Sequence, residues 1–195
     1  MSSQESNTRT RILEATWALL DSNPGVAARM SDIARKAGVS RQALYLHFPN
    51  RTELFIATTK FQDEAFNVEE RLRPSRSAQT GLERLDAWVE AWGSYIPKIY
   101  GVAKTLRVMA ETDADAARAW HERMQDMREG CAAAVRALAA DGTLVQDHDE
   151  TGATDILWTM LSIDNWEALT RDCGWSQDRY LAHLRKLAIQ VLTRV

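Results

Sequence analysis

All four prolines of this 195-residue chain (Pro24, Pro49, Pro74 and Pro97) fall in its first half, so nothing from Lys98 to Val195 forbids long helices except scattered glycines. Apolar residues in that stretch recur with a helical period. Trp120, Met124, Met127, Cys131, Val135 and Leu138 step by three or four and mark one face of a long helix. Leu181, Leu184, Ala188 and Val191 repeat the pattern near the end, and Leu82, Leu85, Val89 and Trp92 show it earlier. Sustained two-residue alternation is absent, and no Asn-Gly or Asp-Gly turn stands between strand-like runs. The expected fold is all-α, with about nine helices.

Such a chain can bury a sizeable core, because 45% of its residues are hydrophobic and 26% charged. No apolar run reaches the roughly 18–20 residues of a membrane span. Met1 to Asn7 has neither a charged n-region nor an apolar h-region, so no secretory signal is expected. Cys131 and Cys173 form neither a disulfide framework nor a CxxC metal motif. These features together read as a cytoplasmic protein with no membrane partner. The net charge of −3 hides an asymmetry: residues 1–60 hold 8 Lys/Arg against 5 Asp/Glu, and the remainder 16 against 22. A basic N-terminal end on an acidic chain points to a polyanion at that end.

Thr154 to Thr170 is apolar on nearly every side and needs cover on nearly every side. A partner subunit is the expected second cover. It would meet Leu157, Leu161 and Trp166, together with Leu181, Leu184 and Ala188 on a last helix that Ser176 caps and that runs to the C-terminus. Six of the seven tryptophans lie beyond residue 80. Trp88, Trp92, Trp120, Met124 and Trp158 offer broad, adaptable apolar surface, either as the lining of a pocket for a small hydrophobic ligand or as ordinary core. Asp164-Asn165 interrupts the apolar run, with Asn165 as a polar anchor in that pocket or a hydrogen-bonding group at the dimer seam.

The first sixty residues read as short, sharply punctuated helices. Thr10 to Asp21 ends at Asn23-Pro24-Gly25, and Ser31 to Ala37 is stopped by Gly38. Ser40 caps Arg41 to Phe48, and Pro49 prevents continuation. Asn50, with Glu53 three residues on, opens a fourth helix that runs toward Pro74. Two short helices across a glycine turn make a helix-turn-helix, with Ile33, Ala34, Ala37, Val39, Leu44 and Phe48 inward. Arg41, Gln42, Tyr45 and Leu46 then face outward and suit a major groove: Arg for guanine, Gln for adenine, Leu for a thymine methyl. Tyr45, His47 and Arg51 are phosphate-binding types, although His47 also suits a helix C-terminus. Arg9 and Arg11 suit phosphates, the minor groove or a solvated terminus, and Ser31 and Ser40 complete the DNA-facing set.

Arg9-Thr-Arg-Ile-Leu-Glu-Ala15, Asp32-Ile-Ala34, Ala37-Gly-Val-Ser40, Leu44-Tyr45-x-His47-Phe48 and Arg51-x-x-Leu54 resemble the tetracycline-repressor (TetR) family of bacterial transcription regulators. The resemblance implies a DNA-binding domain over residues 1–54 and a ligand-binding and dimerisation domain over 55–195. It further implies a homodimer on a palindromic double-stranded operator, usually a repressor, released by a small molecule. Arg29 stands where the family more often has a capping Thr, which leaves Ser31 as the substitute cap.

Enzyme chemistry finds no motif. HExxH, GxSxG, a glycine-rich phosphate loop and a Cys/His metal cluster are all missing, and no cofactor or metal is expected. The alternative to a ligand-released regulator is an architectural DNA binder without a ligand switch.

Overall fold

The computed structural model describes residues 3–194, and these form helices apart from one isolated antiparallel pairing between Leu144 and Thr193. Met1, Ser2 and Val195 lie outside the described residues. No helix among the described residues is long and apolar enough to cross a membrane. The chain divides into two compact units.

The first unit holds residues 1–66 and Ile99–Glu122. Its helices are α1 (Ser3–Ser22), α2 (Met30–Ala37), α3 (Arg41–His47) and α4 (Arg51–Ala65), joined by most of α7 (Ile96–Met109) and the start of α8 (Ala114–Ala140). Ile12, Leu20, Ile33, Leu44, Leu54 and Phe55 form one buried core with Val102, Leu106 and Ala116. Burial on this scale is what orders helices as short as α2 and α3, which are marginal in isolation.

The second unit holds residues 67–98 and 123–195. It contains α5 (Val68–Ser77), α6 (Gly81–Gly93), the remainder of α8, α9 (Glu150–Met160), α10 (Ile163–Glu167), a π-helical turn (Ala168–Asp172) and α11 (Gln177–Leu192). Side chains tie these helices to one another at main-chain groups. The Trp92 indole N–H donates to the Leu161 carbonyl (2.8 Å), and Gln177 donates to the Gly93 carbonyl (2.9 Å) while accepting from Trp166 (2.8 Å). Arg185 on α11 grips Asp86 on α6 through two parallel bonds of 2.6 and 2.5 Å.

Trp88 lies 7% exposed, its indole N–H 3.3 Å from the Cys131 sulfur. Its ring rests on the α8 backbone at Gly130, where an added Cβ would stand 2.0 Å from the ring. Burial pushes the Cys131 thiol up to about 12. As pH rises through the ordinary thiol range, the unfolded chain releases this proton and the native chain keeps it, so the site lowers stability progressively up to about pH 12. Cys173 is exposed. At mildly alkaline pH a disulfide reagent is therefore expected to titrate one thiol per native chain, and the second only after denaturation. Rapid reaction of both thiols in the native protein would contradict the burial of Cys131.

Four local expectations are corrected. The fourth helix stops at Ala65 rather than continuing toward Pro74, because Asn67 takes a left-handed conformation (φ 45°) and its side chain caps α5 from the Glu70 N–H (3.3 Å). Pro74 then sits inside α5. Thr154 to Thr170 is not one helix: Ser162 accepts from the Asn165 N–H (3.2 Å) and starts α10 afresh. Ser31 does not cap α2. Arg29 occupies the N-cap position with no side-chain bond, and its carbonyl receives the Asp32 and Ile33 N–H groups. The last helix ends at Leu192, where the chain turns to pair with 143–145 through Val145 N–H to Leu192 carbonyl (3.0 Å) and Arg194 N–H to Thr143 carbonyl (3.2 Å).

Candidate nucleic-acid interface

Helix α2 ends at Gly38, whose φ of 64° is cheap only for glycine, and its turn sends the N–H groups of Gly38 and Val39 back to the Arg35 and Ala34 carbonyls. Ser40 then accepts from the Ala43 N–H (3.0 Å) and starts α3. Arg11 of α1 pins this turn by donating to the Ala37 (2.6 Å) and Gly38 (3.0 Å) carbonyls. Its guanidinium is therefore spent on positioning the turn. Arg9 instead lies 5.2 Å over the Phe48 ring.

The inward set follows the sequence reading: Ile33, Ala34, Ala37, Leu44 and Phe48 are buried, and Val39 is half-buried. The other side of α3 is bare. Arg41 and Gln42 are exposed, Tyr45 is 49% exposed and Leu46 81%, and none of these four side chains has a hydrogen bond among the described residues. An exposed leucine on a seven-residue helix stabilises nothing in the chain itself. His47 is half-buried and lines a concavity of about 360 Å³ with Arg9, Phe48 and Lys60. Ser31 is half-buried and Ser40 exposed.

Arg51 is exposed at the start of α4, where the Asn50 side chain accepts from the Glu53 N–H (2.8 Å) and donates to the Glu53 carboxylate (2.9 Å). The next residue, Thr52, donates to Asp113 (2.6 Å), and Asp113 also accepts from the Asp115 and Ala116 N–H groups that open α8. The Thr52 bond, with the Ala116 N–H and the nearby Arg51 charge, holds the Asp113 carboxyl below the usual carboxylate range. Sequence reading missed this contact, since residues 61 apart along the chain carry no local signal for it.

The expected ligand-binding and dimer residues are placed as follows. Trp88, Trp92, Met124 and Trp158 belong to the second unit, and Trp120 packs on the core of the first. A cavity of about 370 Å³ in the second unit is lined by Trp88 and by none of the other five, and a smaller one of about 160 Å³ by none of the six. Asn165 is exposed and donates to the Thr159 carbonyl (2.7 Å), a bond within its own turn. Leu157, Leu161, Trp166, Leu184 and Ala188 are all buried in the single chain, so they have no surface to offer a partner; Leu181 alone of that set is half-buried. The apolar pattern that suggested a partner subunit is thus covered largely from within the subunit. No group of three or more metal-ligating side chains occurs among the described residues.

This helix-turn-helix, with its bare outer face, on an all-α body gives the chain a TetR-like fold. Residues 12–58 match the family model of bacterial regulatory proteins, tetR family. Among curated relatives, the nucleoid occlusion factor SlmA of Marinomonas sp. is 37% identical over 65 residues, 33% of each chain. That of Marinobacter nauticus is 29% identical over 129 residues, covering 64% of this chain and 66% of its own. The chain thus spans from a third to about two thirds of the length of these relatives. A putative transcriptional regulator from Saccharomonospora viridis, solved in complex with choline, has the same fold: TM-score 0.83 at 19% identity, over 97% of this chain and 100% of that one.

Proposed function

We propose that this protein is a homodimeric transcriptional repressor that reads a palindromic operator with α3 and leaves it when a small molecule binds the second unit. In this reading residues 1–54 carry DNA recognition, 55–195 carry ligand binding and dimerisation, and the protein works in the bacterial cytoplasm. One observation carries it: Arg41, Gln42, Tyr45 and Leu46 stand together on the solvent side of α3 without partners, while Leu44 and Phe48 anchor its other side. Small-molecule release draws support from the choline complex of the similar regulator. The names of the two SlmA relatives favour a second reading, a nucleoid-associated DNA binder without a ligand switch.

Base-reading and phosphate-holding groups differ in what their loss does. Gln42→Ala is expected to weaken the preferred operator by about 1–3 kcal/mol while leaving scrambled DNA nearly untouched. Arg51→Ala is expected to weaken every sequence alike and to reduce the slope of affinity against salt, because it removes one phosphate neutralisation. Tyr45→Phe should share that indifference to sequence without changing the salt slope, since a phenol carries no charge. Affinities for operator and scrambled duplexes at several salt concentrations measure all three. Equal losses on both duplexes for Gln42→Ala would mean that α3 is docked in another way. Unspecific coverage in footprinting would favour the second reading.

A further inference from the structure

We propose that Asp113, in the turn between α7 and α8, is a positioning residue for DNA binding: through Thr52 it sets the first turn of α4 and with it the guanidinium of Arg51. The inference rests on the reading above in which Arg51 meets a phosphate. It extends the determinants of that contact beyond residues 1–54, to a side chain 61 positions along the chain from its partner.

Both members of the bond belong to the first unit. The Thr52 hydroxyl donates to one Asp113 carboxylate oxygen at 2.6 Å, and the other oxygen accepts the Asp115 and Ala116 N–H groups at 3.0 Å each. One side chain thereby joins the starts of two helices, α4 and α8. Both ends of the bond are held. Thr52 is buried, and the Asp113 N–H donates to the carbonyl of Met109 (3.0 Å), a residue of the same buried core as Ala116. Arg51 is the contrast. It directly precedes Thr52, is exposed, and forms no hydrogen bond or ion pair among the described residues. Its place is therefore set by the backbone that carries it, and a bond from Thr52 to an ionised acceptor is of the stronger kind.

Asp113 also brings a negative charge near Arg51, so its two effects on DNA binding oppose each other. The carboxylate repels the phosphate that the arginine would bind, whereas the bond to Thr52 presents that arginine. With Arg51 in solvent and no ion pair formed, screening makes the repulsion the smaller effect. Loss of the bond is expected to cost affinity; loss of the charge alone is not.

The test measures affinity of the full chain for a mixed-sequence DNA duplex over a range of salt, at a temperature where melting curves show every variant folded. A phosphate contact needs no particular sequence. Thr52→Val keeps the shape and drops the hydroxyl, with Thr52→Ala as the second variant should valine not be accommodated. Either is expected to weaken binding about 3–10-fold at low salt and to lower the salt slope toward that of Arg51→Ala. In the Arg51→Ala background the same change should cost less than about 2-fold, because its effect runs through that arginine. Thr52→Ser and Asp113→Asn should bind as the parent does: the first keeps the hydroxyl, and the amide of the second both caps α8 and donates to Thr52. Thr105→Val is the control for stability alone. It removes a buried hydroxyl that accepts from the Gly25 N–H (3.1 Å), on the connection between α1 and α2, and should leave the salt slope intact. The inference is overturned if loss of the Thr52 hydroxyl leaves binding unchanged, or if it costs as much without Arg51 as with it. It is overturned equally if Asp113→Asn falls as far as Thr52→Val, or if Thr105→Val lowers the slope alike. A parent chain that binds no duplex would remove the DNA reading itself, whereas a parent that binds and a Thr52→Val that matches it removes this inference alone.

Discussion

Replacing Gly130 by valine is expected to destabilise the protein by about 3 kcal/mol, the upper part of the range for overpacking a well-filled interior. The direction is opposite to what helix propensity alone predicts, because glycine inside a helix is worse than valine by a few tenths of a kcal/mol. Contact decides the outcome. A Cβ at residue 130 would lie 2.0, 2.3 and 2.5 Å from three atoms of the Trp88 ring. That ring is held by its bond to Cys131, so it cannot slide aside without leaving a buried N–H unpaired. Chemical denaturation followed by tryptophan emission measures the loss, and a red shift before unfolding would report the displaced indole. A variant as stable as the parent would show that Trp88 is not seated on α8 as described.

Leu44→Ala is expected to cost about 3 kcal/mol, typical of a leucine with no exposed area. The effect should fall on one helix before the rest of the fold. Helix α3 has seven residues, too few to persist alone, and Leu44 is the one buried residue within it. Amide exchange should therefore accelerate first in α3. Operator affinity should drop by up to about 100-fold at temperatures where the rest of the chain stays folded, as the helix's ordering cost is charged to binding. Leu46→Ala makes the contrast. That leucine is 81% exposed, so stability should hold within about 0.5 kcal/mol while affinity for a thymine-bearing operator falls. Unchanged affinity for Leu44→Ala, despite its lost stability, would mean that α3 does not need this anchor to present its outer face.

Why the outer face of α3 was legible in the sequence, and what covers the apolar faces of the second unit was not, has a physical explanation. The face of a short helix follows from the i,i+4 spacing of Leu44 and Phe48 and from caps at Ser40 and Gly38, all local quantities. An apolar period says that a face is covered, but it does not say by what. Leu157, Leu161, Trp166 and Leu184 obey the period, and their own subunit covers them. The restart of the helix at Ser162 was signalled by a serine followed at once by an acidic first turn, a cap pattern hidden under the surrounding hydrophobicity. The break at Asn67 had an asparagine as its cue, whereas Pro74, which looked decisive, is accommodated inside α5.

The unit that holds the helix-turn-helix draws part of its interior from far along the chain: Val102, Leu106, Met109 and Ala116 complete the core built by α1 to α4. A gene segment cut after Ala65 would therefore encode a headpiece with an open side. Such a piece cannot be traded between regulators as a single cassette. An exchange that installs a new recognition helix by moving residues 1–66 must bring compatible partners for 99–122, or the recipient receives a module whose missing wall belongs to someone else's sequence. Altering operator choice by point substitution on the outer face of α3 escapes that constraint, because those side chains touch nothing that the distant segment has to match.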